Sequence, residues 1–401
     1  MDKQRKKKLK KLINICNKHA KFSLPTFIGS LVNIFDTVLR DDEIDFLLKI
    51  GTDSLTIDEI KSRTKLPEQN FSKIFNRLMK KGILWSNTLE SGETVFEIPP
   101  MMLGWFELNF ADDKITPAKK EFSKHLTNYF NTFKKFNLPI LRSLINLWIK
   151  LRPPMSEIAP ISTKDKRKSE KIIEINNKIK LSESKVFTLK TTNSLIEKYG
   201  KSGKIALTNC LCRQHWEIEG EPCRLKLPIE AHLWIGKVAE HVIKYKLGRE
   251  ITIDEALSII NECHKKGGIN HVWHNRMNLE EPEISICNCC WDCCASIGNW
   301  NRGIMPVQLK CYCVASIPDP NACKGCGICV DYCPTQAIKL IDGKAVHNQK
   351  LCIGCGQCEF QCPNGAVKLI NNERLLLLPA KNPLKWNERI KSINQNIKSI
   401  N

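Results

Sequence analysis

Two copies of one cysteine pattern stand in tandem near the C-terminus and constrain this chain more than anything else in it. The first reads Cys323-x2-Cys326-x2-Cys329-x3-Cys333-Pro334 and the second Cys352-x2-Cys355-x2-Cys358-x3-Cys362-Pro363. Thiolates are soft ligands, and three of them two residues apart let one tight loop wrap the corner of an iron–sulfur cube. The eight thiols fit two [4Fe–4S] clusters. Zinc in the same thiols would use two Cys-x2-Cys pairs per ion, leaving the third cysteine of each triplet and the trailing Cys-Pro unexplained. Gly325, Gly327, Gly354 and Gly356 permit the backbone angles that bring amides close to sulfur.

The two runs align without a gap, from Cys323-Lys-Gly-Cys to Ala337-Ile338 and from Cys352-Ile-Gly-Cys to Ala366-Val367. They are an internal duplication, and the stretch resembles the bacterial-type two-cluster ferredoxins. That resemblance implies a ferredoxin-like fold and electron transfer. It also implies that the fourth cysteine of each run ligates the other cluster. One cluster would take Cys323, Cys326, Cys329 and Cys362, and the other Cys352, Cys355, Cys358 and Cys333.

A chain of 401 residues has room for two to four domains. Its formal charge of +20 favours anionic partners: nucleic acid, acidic proteins or a membrane surface. The 20 cysteines are not a secreted disulfide framework, because Cys16 alone lies in the first half and the others cluster at metal-ligand spacings. Asn14, Asn17, Lys18 and His19 interrupt the apolar run that a signal peptide needs after Lys6-Lys7-Lys8. Residues 138–151, the best candidate for a membrane span, contain Arg142, Asn146 and Lys150. A cytoplasmic protein without a transmembrane segment is expected. With no dinucleotide glycine fingerprint and no Walker loop, neither hydride transfer nor ATP-driven chemistry is expected of this chain.

Residues 1–21 read as a basic arm carrying Lys3, Arg5, Lys6, Lys7, Lys8, Lys10 and Lys11. Residues 22–110 read as helices followed by a hairpin. Thr56-Ile57-Asp58-Glu59 is a capping box. Pro67 opens the next helix, Phe71, Ile74, Phe75, Leu78 and Met79 form its apolar face, and Gly82 ends it. Ile83-Leu84-Trp85 and Val95-Phe96-Glu97-Ile98 read as strands around Ser91-Gly92. This order resembles a winged helix of the MarR or ArsR kind. In DNA-binding members the second helix enters the major groove, which here would present Gln69, Asn70, Ser72, Lys73, Asn76, Arg77 and Lys80. Docking or homodimerisation is the other use of such a fold. A helical connector (111–160) and a charged linker (161–184) follow.

Residues 185–318 form a cysteine-rich middle domain, α/β or α+β, ahead of the ferredoxin repeat at 319–371 and a tail at 372–401. Cys210, Cys212, Cys223, Cys287, Cys289, Cys290, Cys293 and Cys294 are candidate ligands for one additional centre, a third iron–sulfur cluster or zinc. This region resembles a group of anaerobic iron–sulfur proteins that join a Cys-x-Cys-Arg segment, a Gly-Arg-x-Ile helix and a Cys-Asn-Cys-Cys run to a ferredoxin. The matching residues here are Cys210 to Arg213, Gly248 to Ala256, Gly268 to His271, and Cys287 to Cys290. His232 stands where such proteins often offer another thiol, and a histidine ligand would raise a cluster's potential. His271 and His274 read as packing or surface histidines.

The whole reads as an α+β multidomain protein: winged helix, cysteine-rich domain and two-cluster ferredoxin. The expected function is electron transfer with a redox partner protein, as an oxidoreductase or a component of one. A redox-responsive transcription regulator is the alternative.

Overall fold

The computed structural model describes residues 1–18, 29–89, 91–154, 156–161, 191–275 and 279–384. Residues 22–28 of the expected winged-helix segment, 162–184 of the linker and 385–401 of the tail lie outside them.

The N-terminal part holds helices Lys3–Lys18, Gly29–Val38, Asp41–Ile50, Ile57–Thr64 and Glu68–Lys80. An antiparallel pair follows, β1 (Trp85–Thr88) with β2 (Thr94–Glu97). Thr56 caps its helix by accepting from the Glu59 N–H, and Glu59 Oε2 accepts from the Thr56 N–H at 2.8 Å. Phe71, Ile74, Phe75, Leu78 and Met79 are all buried, each contributing about 1.5–3 kcal/mol of apolar burial. Gly82, at φ +65°, turns the chain so that the Ile83 N–H donates back to Leu78 O. That turn consumes Ile83 and Leu84, and the strand begins at Trp85 instead of Ile83.

Two expectations about charge are corrected here. The basic start is not an arm. It lies in a helix that buries Leu9, Leu12 and Ile13, with Arg5 ion-paired to Asp36 and Asp41 and Lys8 to Asp45. Two of its cations, Arg5 and Lys8, are thus met by acidic residues of the next two helices. Arg77 is likewise engaged, to Asp42 and to the fully buried Glu43, whereas Gln69, Asn70, Lys73, Asn76 and Lys80 remain exposed.

The centre of the molecule is an eight-stranded sheet in the order β12-β9-β3-β7-β8-β5-β4-β6. Its strands are β3 (Ser156–Ile158), β4 (Ile205–Asn209), β5 (Glu230–Ile235), β6 (Arg249–Glu250), β7 (Ile269–His274), β8 (Glu283–Cys289), β9 (Val307–Ser316) and β12 (Lys368–Leu378). Pairing is antiparallel except between β3 and β9. The fold is mixed α+β. Strand β3 ties the end of the expected helical connector into this sheet.

The tandem cysteine runs sit between β9 and β12, with a hairpin of β10 (Ile338–Ile341) and β11 (Lys344–His347) between them. Strand β12 pairs along β9 from Lys368↔Ser316 to Leu378↔Val307, with a bulge between Asn371 and Arg374. The expected boundary at 371 thus falls inside one strand, and Leu375–Leu378 extend the central sheet. Among the described residues no helix is long and apolar enough to cross a membrane.

Candidate metal centres

The duplicated runs fold into two matching thiol-lined cavities. One, of about 340 Å³, is lined by Cys323, Cys326, Cys329 and Cys362. The other, of about 310 Å³, is lined by Cys333, Cys352, Cys355 and Cys358. Each gathers three thiols of one run and the fourth thiol of the other. Backbone N–H groups point at the sulfurs in pseudo-symmetric pairs. Ala337 donates to Cys333 Sγ at 3.1 Å and Ala366 to Cys362 Sγ at 3.3 Å. Ala345 donates to Cys323 and Ala315 to Cys352, both at 3.4 Å. Such donors favour the charged thiolate; those from Ala345 and Gly325 hold the Cys323 thiol below its ordinary pKa. The donor set fits what a [4Fe–4S] cluster requires: four converging thiolates with amide N–H groups on sulfur.

The two cavities differ in their surroundings. Ala345 belongs to the β10–β11 hairpin, whereas Ala315 belongs to β9 of the central sheet. Gly325 (φ +69°) lies so close to Gly343 O that an added Cβ would stand 2.2 Å away, and Gly354 (φ +68°) stands in the same relation to Cys313 O at 2.1 Å. The hairpin supports the first loop and the sheet supports the second. Cys326 is consequently exposed, while residues 352–358 are all buried.

A third cavity, of about 490 Å³, lies in the middle of the molecule. Cys210, Cys212, Cys287, Cys289, Cys290, Cys293 and Cys294 line it with His232, Arg213, Trp273, Glu107, Met102 and Leu103. Cys210 precedes the helix Leu211–Ile218, and Cys287 and Cys289 end strand β8. His232 projects from β5 opposite Cys287, with Nδ1 at 3.5 Å from its Sγ. Despite burial, Cys289 and His232 draw the Cys287 thiol well below its ordinary pKa. Burial opposes charge on His232, and Cys287 overrides it, raising the imidazole's pKa. His232 therefore stands where a ligand or a proton partner of Cys287 would.

Arg213 is the unusual member. It is buried, and it donates to the carbonyls of Pro228 and Asn288. Burial disfavours its charge, yet Cys210, Cys293, Cys290 and Cys223 hold its pKa well above the ordinary value. A buried guanidinium among thiols is stable when those thiols are anionic, as metal ligation makes them.

Cys223 does not line this cavity. It faces Cys290, Asp292 and Cys293 instead, and their ligand atoms all lie within 4.8 Å of one another. His271, expected to pack or lie at the surface, is fully buried and stacked on Trp273, and a ring nitrogen lies within that same distance of Cys289 and Cys294. His274 is paired with Glu157 at 2.9 Å and with Glu281 O. Burial pushes the thiols of Cys16, Cys263, Cys311 and Cys313 up to about 12, the behaviour of packed, protonated side chains. Asp292 and Glu107, which stand beside these thiols, were not singled out in the sequence. Asp292 carried a signal, since it lies inside the Cys290-x2-Cys293 spacing. Glu107 carried none.

Residues 322–368 match the family model of a 4Fe-4S dicluster domain. The C-terminal part of the chain is thereby an iron–sulfur domain of the ferredoxin type. No curated protein and no solved structure matches the chain.

Proposed function

We propose that this chain is an iron–sulfur electron-transfer protein that works with a redox partner protein. Cys323, Cys326, Cys329 and Cys362 hold one [4Fe–4S] cluster, and Cys352, Cys355, Cys358 and Cys333 hold the other. Bound there, the two clusters would supply one-electron chemistry. The middle cavity, with Cys210, Cys212, Cys287, Cys289 and Cys294 facing His232, holds the further centre with which they exchange electrons. The observation that carries this reading is the unequal burial of the two halves: the Cys326 loop is open to a partner, and the Cys355 loop is buried against the central sheet. An exposed entrance and a buried second site suit a port better than a free-standing carrier. The backbone N–H groups on Cys323, Cys333, Cys352 and Cys362 stabilise negative sulfur and so set the potentials.

Anaerobic purification with iron and sulfide analysis tests the proposal. Twelve iron are expected, about four per cluster, and about eight would remove the cluster from the middle cavity. Little iron, or no bleaching of the visible spectrum on reduction, would refute electron transfer altogether.

A second reading is favoured by one contact. Met102, Leu103 and Glu107, which directly follow the helix-and-hairpin segment, line the thiol cavity. A redox change there would be felt by a winged helix whose Glu68–Lys80 helix presents Gln69, Asn70, Lys73, Asn76 and Lys80 to DNA. DNA binding titrated against salt in oxidised and reduced protein decides it; equal, purely salt-driven binding in both states refutes regulation.

A further inference from the structure

The middle domain's thiols divide into two sets, and we propose that the smaller one is a mononuclear zinc site. Its ligands are Cys223, Cys290 and Cys293 with one oxygen of Asp292. Cys290 and Cys293 stand in the wall of the 490 Å³ cavity, whereas Cys223 and Asp292 lie outside its lining, and the proposal stands whether or not the remaining thiols of that cavity hold a cluster.

Four observations carry it. The first is spacing. The four ligand atoms lie within 4.8 Å of one another, which suits donors sharing one tetrahedral ion at about 2.3 Å from each sulfur and about 2.0 Å from the oxygen. Thiolates on a cubane hold separate corners and stand further apart. Among the described residues, the eight ferredoxin thiols form no group this tight.

The second is the aim of the carboxylate. Asp292 is fully buried. Its Oδ2 accepts from the Arg224 N–H at 3.1 Å and from Arg224 Nη1 at 3.2 Å. Its Oδ1 is turned toward the thiols and accepts from the Cys290 S–H at 2.7 Å, a proton that a bound divalent ion would replace. A partner that holds one carboxylate oxygen and orients the other is the usual outer support of a metal ligand.

The third is the loop. Cys290-Trp291-Asp292-Cys293 is a Cys-x2-Cys turn, and the Cys293 N–H donates to Cys290 Sγ at 3.2 Å. The remaining ligand, Cys223, comes from a separate loop, as in structural zinc sites built from two chain segments.

The fourth is charge. Three thiolates and a carboxylate around a divalent ion leave about two negative charges. Arg213 and Arg224 are the cations beside them, so the buried assembly is close to neutral. Zinc is redox-silent, so this site carries no electrons. It clamps the 223–224 loop to the 290–293 loop, and thereby fixes Cys289 and Cys294, which flank that loop and face the cavity.

The test is metal analysis of the anaerobically purified full chain, with zinc-edge X-ray absorption. About one zinc per chain is expected, with three sulfurs and one oxygen around it. Cys223→Ala and Asp292→Asn should each lower zinc occupancy at least tenfold after dialysis against a chelator while iron stays at the wild-type level. Loss of about four iron from Cys223→Ala, with zinc unchanged, would assign these thiols to a cluster and overturn the proposal. So would a zinc shell containing imidazole, which would place the ion at His271. Absence of zinc from the wild-type chain would also overturn it. The absorption measurement needs no variant, so it decides the matter even if both substitutions prevent folding.

Discussion

Gln357→Ile tests whether the buried half of the ferredoxin unit is docked by specific bonds or by shape alone. Isoleucine is what the first run carries at the matching position, Ile328, so the change makes the two runs alike. Gln357 is fully buried, and its Nε2 lies 2.5 Å from Gly268 O, 3.0 Å from His264 O and 3.0 Å from His264 Nδ1. Two N–H groups thus serve three acceptors in the turn that links helix Ile253–Lys265 to β7. His264 O keeps a donor in the Gly267 N–H, but Gly268 O loses its 2.5 Å partner. A stranded buried carbonyl costs about 1–3 kcal/mol and the second lost bond about 1 kcal/mol, which together make about 3 kcal/mol. Local opening should then become about 100-fold easier. Hydrogen exchange is the assay: protection of peptides spanning 263–270 and 353–361 should fall by about two decades, while that of β4 and β8 stays unchanged. Iron content should hold, because the N–H that Cys355 receives comes from the Gln357 backbone, which isoleucine retains. A change in protection below about threefold would refute the reasoning, since it would put the docking energy below about 0.7 kcal/mol.

Cys333→Ser should remove the cluster of the opposite run, leaving the cavity of Cys323, Cys326, Cys329 and Cys362 complete; iron should fall by about four, and loss of the exposed cluster instead would contradict the crossed arrangement. Gly354→Ala places a Cβ 2.1 Å from Cys313 O at φ +68°, whereas Gly365→Ala, at φ +60° with open space, meets nothing. The second should cost about 1 kcal/mol by thermal unfolding and the first several, and equal losses would deny the close approach of the loop to β9. Burial lowers the pKa of His241 from 6.5 to about 3. Because the folded value is the depressed one, stability is full above pH 6.5 and is lost as pH falls toward 3; at pH 5 the loss is about 2 kcal/mol. His241→Gln should show that much less acid sensitivity in urea unfolding at pH 7 and pH 5, and an unchanged pH dependence would refute the assignment.

What could be read in advance was local. The cysteine runs were legible because three of each cluster's four ligands fall at a fixed short spacing, and the Thr56–Glu59 cap because its partners are three residues apart. The strand after Gly82 was displaced by two residues because the turn's own backbone bonds took Ile83 and Leu84. The charge readings failed for a long-range reason. Arg5 and Arg77 find carboxylates 31 to 36 residues away, which no window on the chain displays. The same holds for the thiols between 287 and 294. They look like one ligand run, yet Cys289 and Cys294 approach His271 while Cys290 and Cys293 approach Cys223. Which neighbour each meets depends on loops separated in sequence, so one site was expected where two sets exist. Glu107 is the extreme case, a carboxyl pushed up to about 7 by burial in a cavity whose thiols lie about a hundred residues or more along the chain.

The duplication explains why the ferredoxin unit faces as it does. Two copies of one motif begin equivalent, and they differ in what supports them, the β10–β11 hairpin for the first loop and the central sheet for the second. Gly354 leans on Cys313 where Gly325 leans on the hairpin. Cys352 takes its N–H from β9 where Cys323 takes one from β11. Gln357 bonds to the turn before β7, and Gln361 adds a bond to Lys265 O at 3.1 Å. Strands β9 and β12 enter and leave the repeat as neighbours in the central sheet, so the unit cannot rotate away without breaking their ladder. Such an attachment leaves one copy outward and presses the other against the thiol-rich domain. Reversing the roles would require moving a glutamine, a strand and a bulge together, which is why the orientation of the two cysteine runs is a property of the fold and not of the cysteine pattern.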